Sequence, residues 1–252
     1  MIVWRRSFML RDGRATPRAA RPGEVLRSLA FYLVFYVGTL GYVLASLLAI
    51  ALRPALLEAV ARGWAGFHRV CMRRILGIRI VIEGSLPTAP ALIALKHESQ
   101  FEAIDLPVML RSPAIFAKAE LLRLPLWGRV AAAYGLLAVE RDQGARALRK
   151  MIADARRLVA AGRGLAIFPE GTRVAHGEQA ALQAGFAGIY KLIGLPVVPV
   201  AVDSGPLYHR RWKRPGTITL RFGATIPPGL PRAEIEARVG AAINALNPDP
   251  ER

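Results

Sequence analysis

The pattern of apolar and polar positions changes character twice along the chain. Residues 28–52 read SLAFYLVFYVGTLGYVLASLLAIAL, without a single charge. A run of this length predicts a helix able to reach across a hydrocarbon core of about 30 Å. It is too long for a signal peptide and is followed by no clear small-residue cleavage site, so it is predicted to be membrane-embedded. Pro54 then closes this helix. Residues 55–76 predict a second, amphipathic one. Its arginines would lie against anionic headgroups with Leu56, Leu57, Val60 and Phe67 toward acyl chains, or the same apolar face would pack into a soluble core. From Ile78 onward, short apolar runs bounded by turn residues predict strands at 78–83, 91–95, 114–118, 136–140, 164–168, 197–202 and 217–222. Helical patterns lie between several of them, at 143–161 and 185–193, with a last one at 232–246. Such alternation predicts an α/β fold with a largely parallel central sheet flanked by helices, its site gathered beyond the carboxyl ends of the strands. The chain thus divides into a basic tail (1–27), an embedded or interfacial helical region (28–76) and an α/β domain (77–252).

Charge narrows the choice of partners. Lys and Arg number 35 against 18 Asp and Glu, a net of +17. That excess suits an acidic partner: nucleic acid, an anionic lipid surface or a phosphorylated substrate. A genome-wide preference for Arg, Ala and Gly would also produce part of it. The cations are dispersed rather than striped with aromatics, which argues against nucleic acid. Basic residues flank the apolar run on both sides, so the positive-inside rule places both ends on the cytoplasmic side. Gly38 and Gly41 would permit a bend and a re-entrant path. Cys71 is the only cysteine, which excludes an internal disulfide and a Cys-based zinc site.

Two turns carry candidate chemistry. After the apolar run 91–95 comes Lys96-His97-Glu98-Ser99-Gln100-Phe101-Glu102. On one continuous helix, His97 and Glu102 would point roughly 140° apart. If instead a strand ends at His97 and a helix begins near Glu102, the turn between them brings imidazole and carboxylate together. The carboxylate then keeps one ring nitrogen protonated and leaves the other free to take a proton from a hydroxyl. By itself such a pair is more often a surface histidine beside a helix-capping acid. The second turn, Pro169-Glu170-Gly171-Thr172-Arg173, follows the run 164–168. Gly171 allows exposed N–H groups that receive anions, and Arg173 adds a fork suited to phosphate. No Gly-x-Ser-x-Gly elbow is present for a serine nucleophile, and His97 has no second histidine at zinc-protease spacing.

Taken in order, these segments resemble the glycerolipid acyltransferase family, which includes the 1-acylglycerol-3-phosphate acyltransferases. His97 to Glu102 is similar to the family's His-x4-acid block, with Glu where Asp is usual. Residues 135–141 (GLLAVER) resemble its Gly-x-x-Phe-x-x-Arg block, with Ala138 in place of the aromatic. Residues 168–173 (FPEGTR) match the third block throughout, and 195–200 (LPVVPV) resemble the fourth. The segment around Lys118 resembles the family's lysine-bearing turn. The resemblance implies transfer of an acyl chain from acyl-CoA or acyl carrier protein to the sn-2 hydroxyl of lysophosphatidic acid, with no metal and no bound cofactor. It implies His97 as base oriented by Glu102, and Lys118, Arg141, Glu170, Gly171, Thr172 and Arg173 on the phosphate side. Pro196, Val197, Val198 and Pro199 would line the acyl path. It also implies an inner-membrane location with the α/β domain on the cytoplasmic side. A lyso-ornithine lipid would need much the same machinery, and a non-catalytic basic protein bound to membrane or nucleic acid is the alternative of a different class.

Overall fold

The structure is a computed structural model that describes residues 19–110, 112–139 and 144–248. Helix α1 (Pro22–Leu52) opens it. Pro22 stands at the first helical position, where a missing N–H costs nothing, and Glu24 accepts the Arg21 N–H at 3.0 Å. Its 31 residues make it about 46 Å long, and it is long and apolar enough to cross a membrane. It begins ahead of the uncharged run, taking in the end of the segment read as a basic tail. The helix runs unbroken through Gly38 and Gly41. Gly38 has another use: a Cβ there would collide with the Phe67 ring of the next helix.

Arg53, held extended by the proline that follows it (φ −154°), ends α1, and a short 3-10 turn leads into α2 (Leu57–Cys71). Leu57 of α2 is buried, and Phe67 stacks on Phe35 with ring centroids 6.3 Å apart. The inward packing of α2 therefore prevails over the acyl-facing one for these two residues, while Leu56 stays exposed. On α1, Phe31 and Phe35 are buried in the same core. Its opposite side is also apolar: Leu29, Leu33, Leu40, Leu44 and Leu48 are each more than half exposed. Helices of soluble domains turn polar residues outward. This one does not.

The α/β part is a seven-stranded sheet built from β1 (Ile78–Glu83), β2 (Leu92–Leu95), β3 (Ala114–Lys118), β4 (Leu136–Val139), β5 (Leu165–Ile167), β6 (Val197–Val202) and β7 (Gly216–Phe222). Their order is β1-β7-β6-β2-β5-β3-β4. Five strands run parallel from β6 to β4. The β6–β7 pair is antiparallel, so β7 and its parallel neighbour β1 run the other way. Every predicted strand is present within a residue at each end. Strand β2 is buried along its whole length, as expected for a parallel strand covered on both faces. Ile93 and Leu95 face α1, α2 and α3 (Phe101–Met109), joined by α4 (Trp127–Tyr134). Leu92 and Ala94 face α5 (Gly144–Ala160), α6 (Ala184–Ile193) and α8 (Arg232–Ile243).

A buried ion pair couples α2 to the sheet domain. Arg69 of α2 grips Asp105 of α3 with two bonds of 2.7 Å, and Asp105 is 1% exposed. Burial drives the Asp105 carboxyl upward, and Arg69 opposes that shift. Removing one partner of a buried pair leaves the other without compensation and costs about 3–5 kcal/mol. Arg69→Ala should therefore lower the thermal midpoint by several degrees, whereas Arg69→Ala with Asp105→Asn should recover part of the loss. Thermal unfolding of the purified variants in detergent checks both.

Candidate active site

Strand β2 stops at Leu95, residues 98–100 bend, and α3 starts at Phe101. This strand–turn–helix folds the chain back so that His97 Nδ1 lies 3.3 Å from Glu102 Oε2. Glu102 is fully buried, while the His97 side chain is 19% exposed. The carboxylate is fixed from several sides. It accepts the Ser99 N–H at 3.0 Å, and its Oε1 accepts the Ser204 hydroxyl. The Ser99 and Ser204 hydroxyls lie 2.8 Å apart, tying the turn after β2 to the turn after β6. The His97 ring stacks on Phe168 at 4.1 Å, which restricts its rotation. With Nδ1–H directed at the carboxylate, Nε2 carries the lone pair. Such an imidazole can remove a proton from a hydroxyl set against it.

Buried polar groups hold the turns in place. Lys96 is wholly enclosed, and its ammonium donates to Glu170 Oε1 at 2.7 Å, to Asn244 Oδ1 at 2.8 Å and to the Glu178 carbonyl at 2.9 Å. All three of its protons are thereby used. Glu170 Oε2 in turn accepts the His97 N–H at 3.3 Å. A second His–carboxylate pair stands beside the first, with His176 Nδ1 2.9 Å from Glu98 Oε1. Glu98 Oε2 also accepts the Gly205 N–H at 2.8 Å, at the start of α7 (Gly205–Tyr208). Burial raises the Glu98 carboxyl, against the bonds from Gly205 and His176.

Because β2, β3, β5 and β6 are parallel, their carboxyl ends share one edge of the sheet. His97, Lys118, the 169–173 turn and Ser204 all sit at that edge, with Lys118 exposed at the end of β3. Gly171 takes φ +64°, a left-handed conformation that other residues adopt only with strain, and its N–H closes the turn onto the Phe168 carbonyl at 2.9 Å. Thr172 and Arg173 are exposed beyond it. Arg141 lies outside the described residues. One expectation needs correction. Glu170 is not placed to meet substrate, because its carboxylate is enclosed by Lys96 and the His97 N–H. Val197, Val198 and Pro199 are buried in β6 between the helical layers, with Val197 beside Leu92 and Pro199 beside Ala94, while the partly buried Pro196 precedes the strand.

Arg173 borders a cavity of about 640 Å³ that also includes Gln100, Tyr32 and Tyr36 of α1, and the segment 208–213. Burial pulls the Lys213 ammonium down to about 8. Burial, followed by Arg173, lowers the His209 imidazole. Three features of this site escape a reading of the chain. Ser204 arrives from 102 positions beyond Glu102. The burial of Lys96 depends on Asn244, far along the chain. His176 and His209, scattered in the sequence, converge here. The Asp-Ser-Gly-Pro turn closing a buried strand was the available signal for Ser204.

An imidazole backed by a buried carboxylate thus stands at the carboxyl-end edge of a parallel sheet, next to a cationic cavity. The chain belongs to the acyltransferase family: the family model described as Acyltransferase matches residues 77–203, half of the chain. It is 30% identical over 233 residues to a 1-acyl-sn-glycerol-3-phosphate acyltransferase of Pseudomonas aeruginosa, covering 89% of this chain and 87% of that one. It is 29% identical to a Cocos nucifera protein of the same description, over 60% of this chain and 51% of the relative. The fold matches the crystal structure of the 1-acyl-sn-glycerophosphate (LPA) acyltransferase PlsC from Thermotoga maritima. That match has a TM-score of 0.70 at 20% identity and covers 88% of this chain and 93% of the other.

Proposed function

We propose that this acyltransferase moves a fatty acyl chain from a thioester to the sn-2 hydroxyl of lysophosphatidic acid, giving phosphatidic acid. The observation that carries the reading is the His97–Glu102 contact, with its carboxylate buried and its imidazole partly open. His97 Nε2 takes the hydroxyl proton as the oxygen attacks the thioester carbonyl. The new C–O bond forms, the C–S bond breaks, and the proton passes to the departing thiolate. Thiols have a pKa of about 8.5, so the leaving group is good and no covalent acyl-enzyme is required. Glu102 keeps Nδ1 protonated and stabilises the imidazolium as it forms. Lys118, Arg141 and Arg173 serve the acidic substrates, which include acyl-CoA or acyl carrier protein as donor. The outward leucine stripe of α1 lies in lipid, with the sheet domain on the cytoplasmic side of the inner membrane.

The test is direct. Purified protein in detergent micelles receives an isotopically labelled acyl thioester together with lysophosphatidic acid, monoacylglycerol or a lyso-ornithine lipid. Labelled phosphatidic acid, formed in step with free thiol, is the expected product. Preferential labelling of the ornithine lipid would transfer the reading to that acceptor, and thiol release without any acylated lipid would remove it.

A further inference from the structure

The loop that follows β6 is rich in cations that no sequence block accounts for. His209, Arg210, Arg211 and Lys213 border the same cavity as Arg173, and no Asp or Glu is among the described residues that line it. The loop is firmly held. The Lys213 N–H donates to Ser28 Oγ of α1 at 2.8 Å, and its ammonium donates to the Tyr208 carbonyl at 2.8 Å above the Tyr208 ring. Lys213 is therefore committed to holding the backbone. Arg211 is exposed and stacks over Trp212, with its guanidinium carbon 4.8 Å from the ring centroid. Arg210 donates to the Pro206 carbonyl at 3.4 Å, and Glu24 lies near enough for its charge to act on the guanidinium.

We infer that Arg210 and Arg211, together with Arg173, form the recognition site for the phosphate monoester of the acceptor lipid, and so set its headgroup specificity. The inference rests on the acceptor reading above and names residues for it outside the 169–173 turn. Charge is the first argument. A concave site with several fixed cations and no acid favours a dianion and repels a headgroup that carries an ammonium. Arg forks also match phosphate oxygens two at a time. Position is the second argument. Gln100 belongs to the turn between His97 and Glu102, and His209 is near enough to Arg173, Glu102 and His97 to feel their charges. Tyr32 and Tyr36 form the other wall, on α1 and one helical turn from Leu29, Leu33 and Leu40 of the exposed leucine stripe. A lipid phosphate held here sits between the apolar helix and the base. In lysophosphatidic acid the accepting hydroxyl is on the carbon next to the one that bears the phosphate ester.

The acyl donor also carries phosphate, so the experiment must separate the two sources. Full-length Arg210→Ala, Arg211→Ala and Arg211→Lys proteins are assayed in micelles with lysophosphatidic acid and acyl-CoA, each varied in turn. Binding of the 2-deoxy analogue, which lacks the accepting hydroxyl, is measured alongside. The alanine variants should raise KM for lysophosphatidic acid, and weaken analogue binding, roughly tenfold or more. Changes in kcat and in KM for acyl-CoA should stay within about twofold, with partial rescue by Arg211→Lys. A rise in KM for acyl-CoA alone would assign the cavity to the donor and overturn the inference. Unchanged analogue binding would also overturn it, even in protein that produces phosphatidic acid normally. Analogue binding requires no turnover, so failure here is distinct from failure of the acyl-transfer reading, which shows as missing product in the wild-type protein.

Discussion

Replacing His97 by alanine is expected to lower kcat for acyl transfer by about 10²–10⁴-fold, the usual contribution of a positioned general base. The fold should survive the change. His97 is partly open, its N–H to Glu170 is a backbone bond that alanine keeps, and Glu102 retains its donors from Ser99 and Ser204. Among the described ring contacts, the change removes the stack on Phe168. With His97 acting on the hydroxyl proton as proposed, and not on either substrate's bulk, KM for both substrates should move little. Steady-state kinetics with lysophosphatidic acid and acyl-CoA, paired with a thermal melt, separates the two effects. A variant that unfolds at the wild-type temperature yet acylates at the wild-type rate would remove His97 from the chemistry.

The second large effect is on stability. Lys96→Met keeps a long side chain but leaves the Glu170 carboxylate fully enclosed, with the His97 N–H at 3.3 Å as its described remaining donor. Breaking a buried pair in this way costs about 3–5 kcal/mol. For a chain of this size each kcal/mol shifts the midpoint by about 2–4 °C, so a fall on the order of 10 °C is expected by circular dichroism or a dye melt. Activity should fall as well, because the same carboxylate anchors the turn that carries Gly171 and Arg173. Adding Glu170→Gln should recover part of the stability, since a neutral amide costs less to enclose than a bare charge. No recovery would mean that Lys96 supports the fold through packing and not through charge.

Much of this architecture is legible in the chain because its signals are local. Each strand is a short apolar run closed by Pro, Gly or a charged turn, and such runs need no long-range information. The His97–Glu102 pairing is legible for a related reason: a spacing of five rules out one helix and leaves strand–turn–helix. What escapes is what depends on distant partners. Nothing near Lys96 announces that Asn244 will enclose it, and nothing near Glu102 announces Ser204. The reversed direction of β1 and β7 is set by pairing across the sheet, which local pattern does not encode.

The two faces of α1 have a consequence for how a lipid reaches the base. Pulling a sixteen-carbon chain wholly into water costs about 0.8 kcal/mol per methylene, on the order of 12 kcal/mol. Tyr32 and Tyr36 belong to the same two turns as the outward Leu33 and Val37. With that stripe seated in lipid as proposed, the cavity opens at the waterline. A lysolipid then slides in sideways with its tail still dissolved among its neighbours, and that extraction cost never enters the barrier.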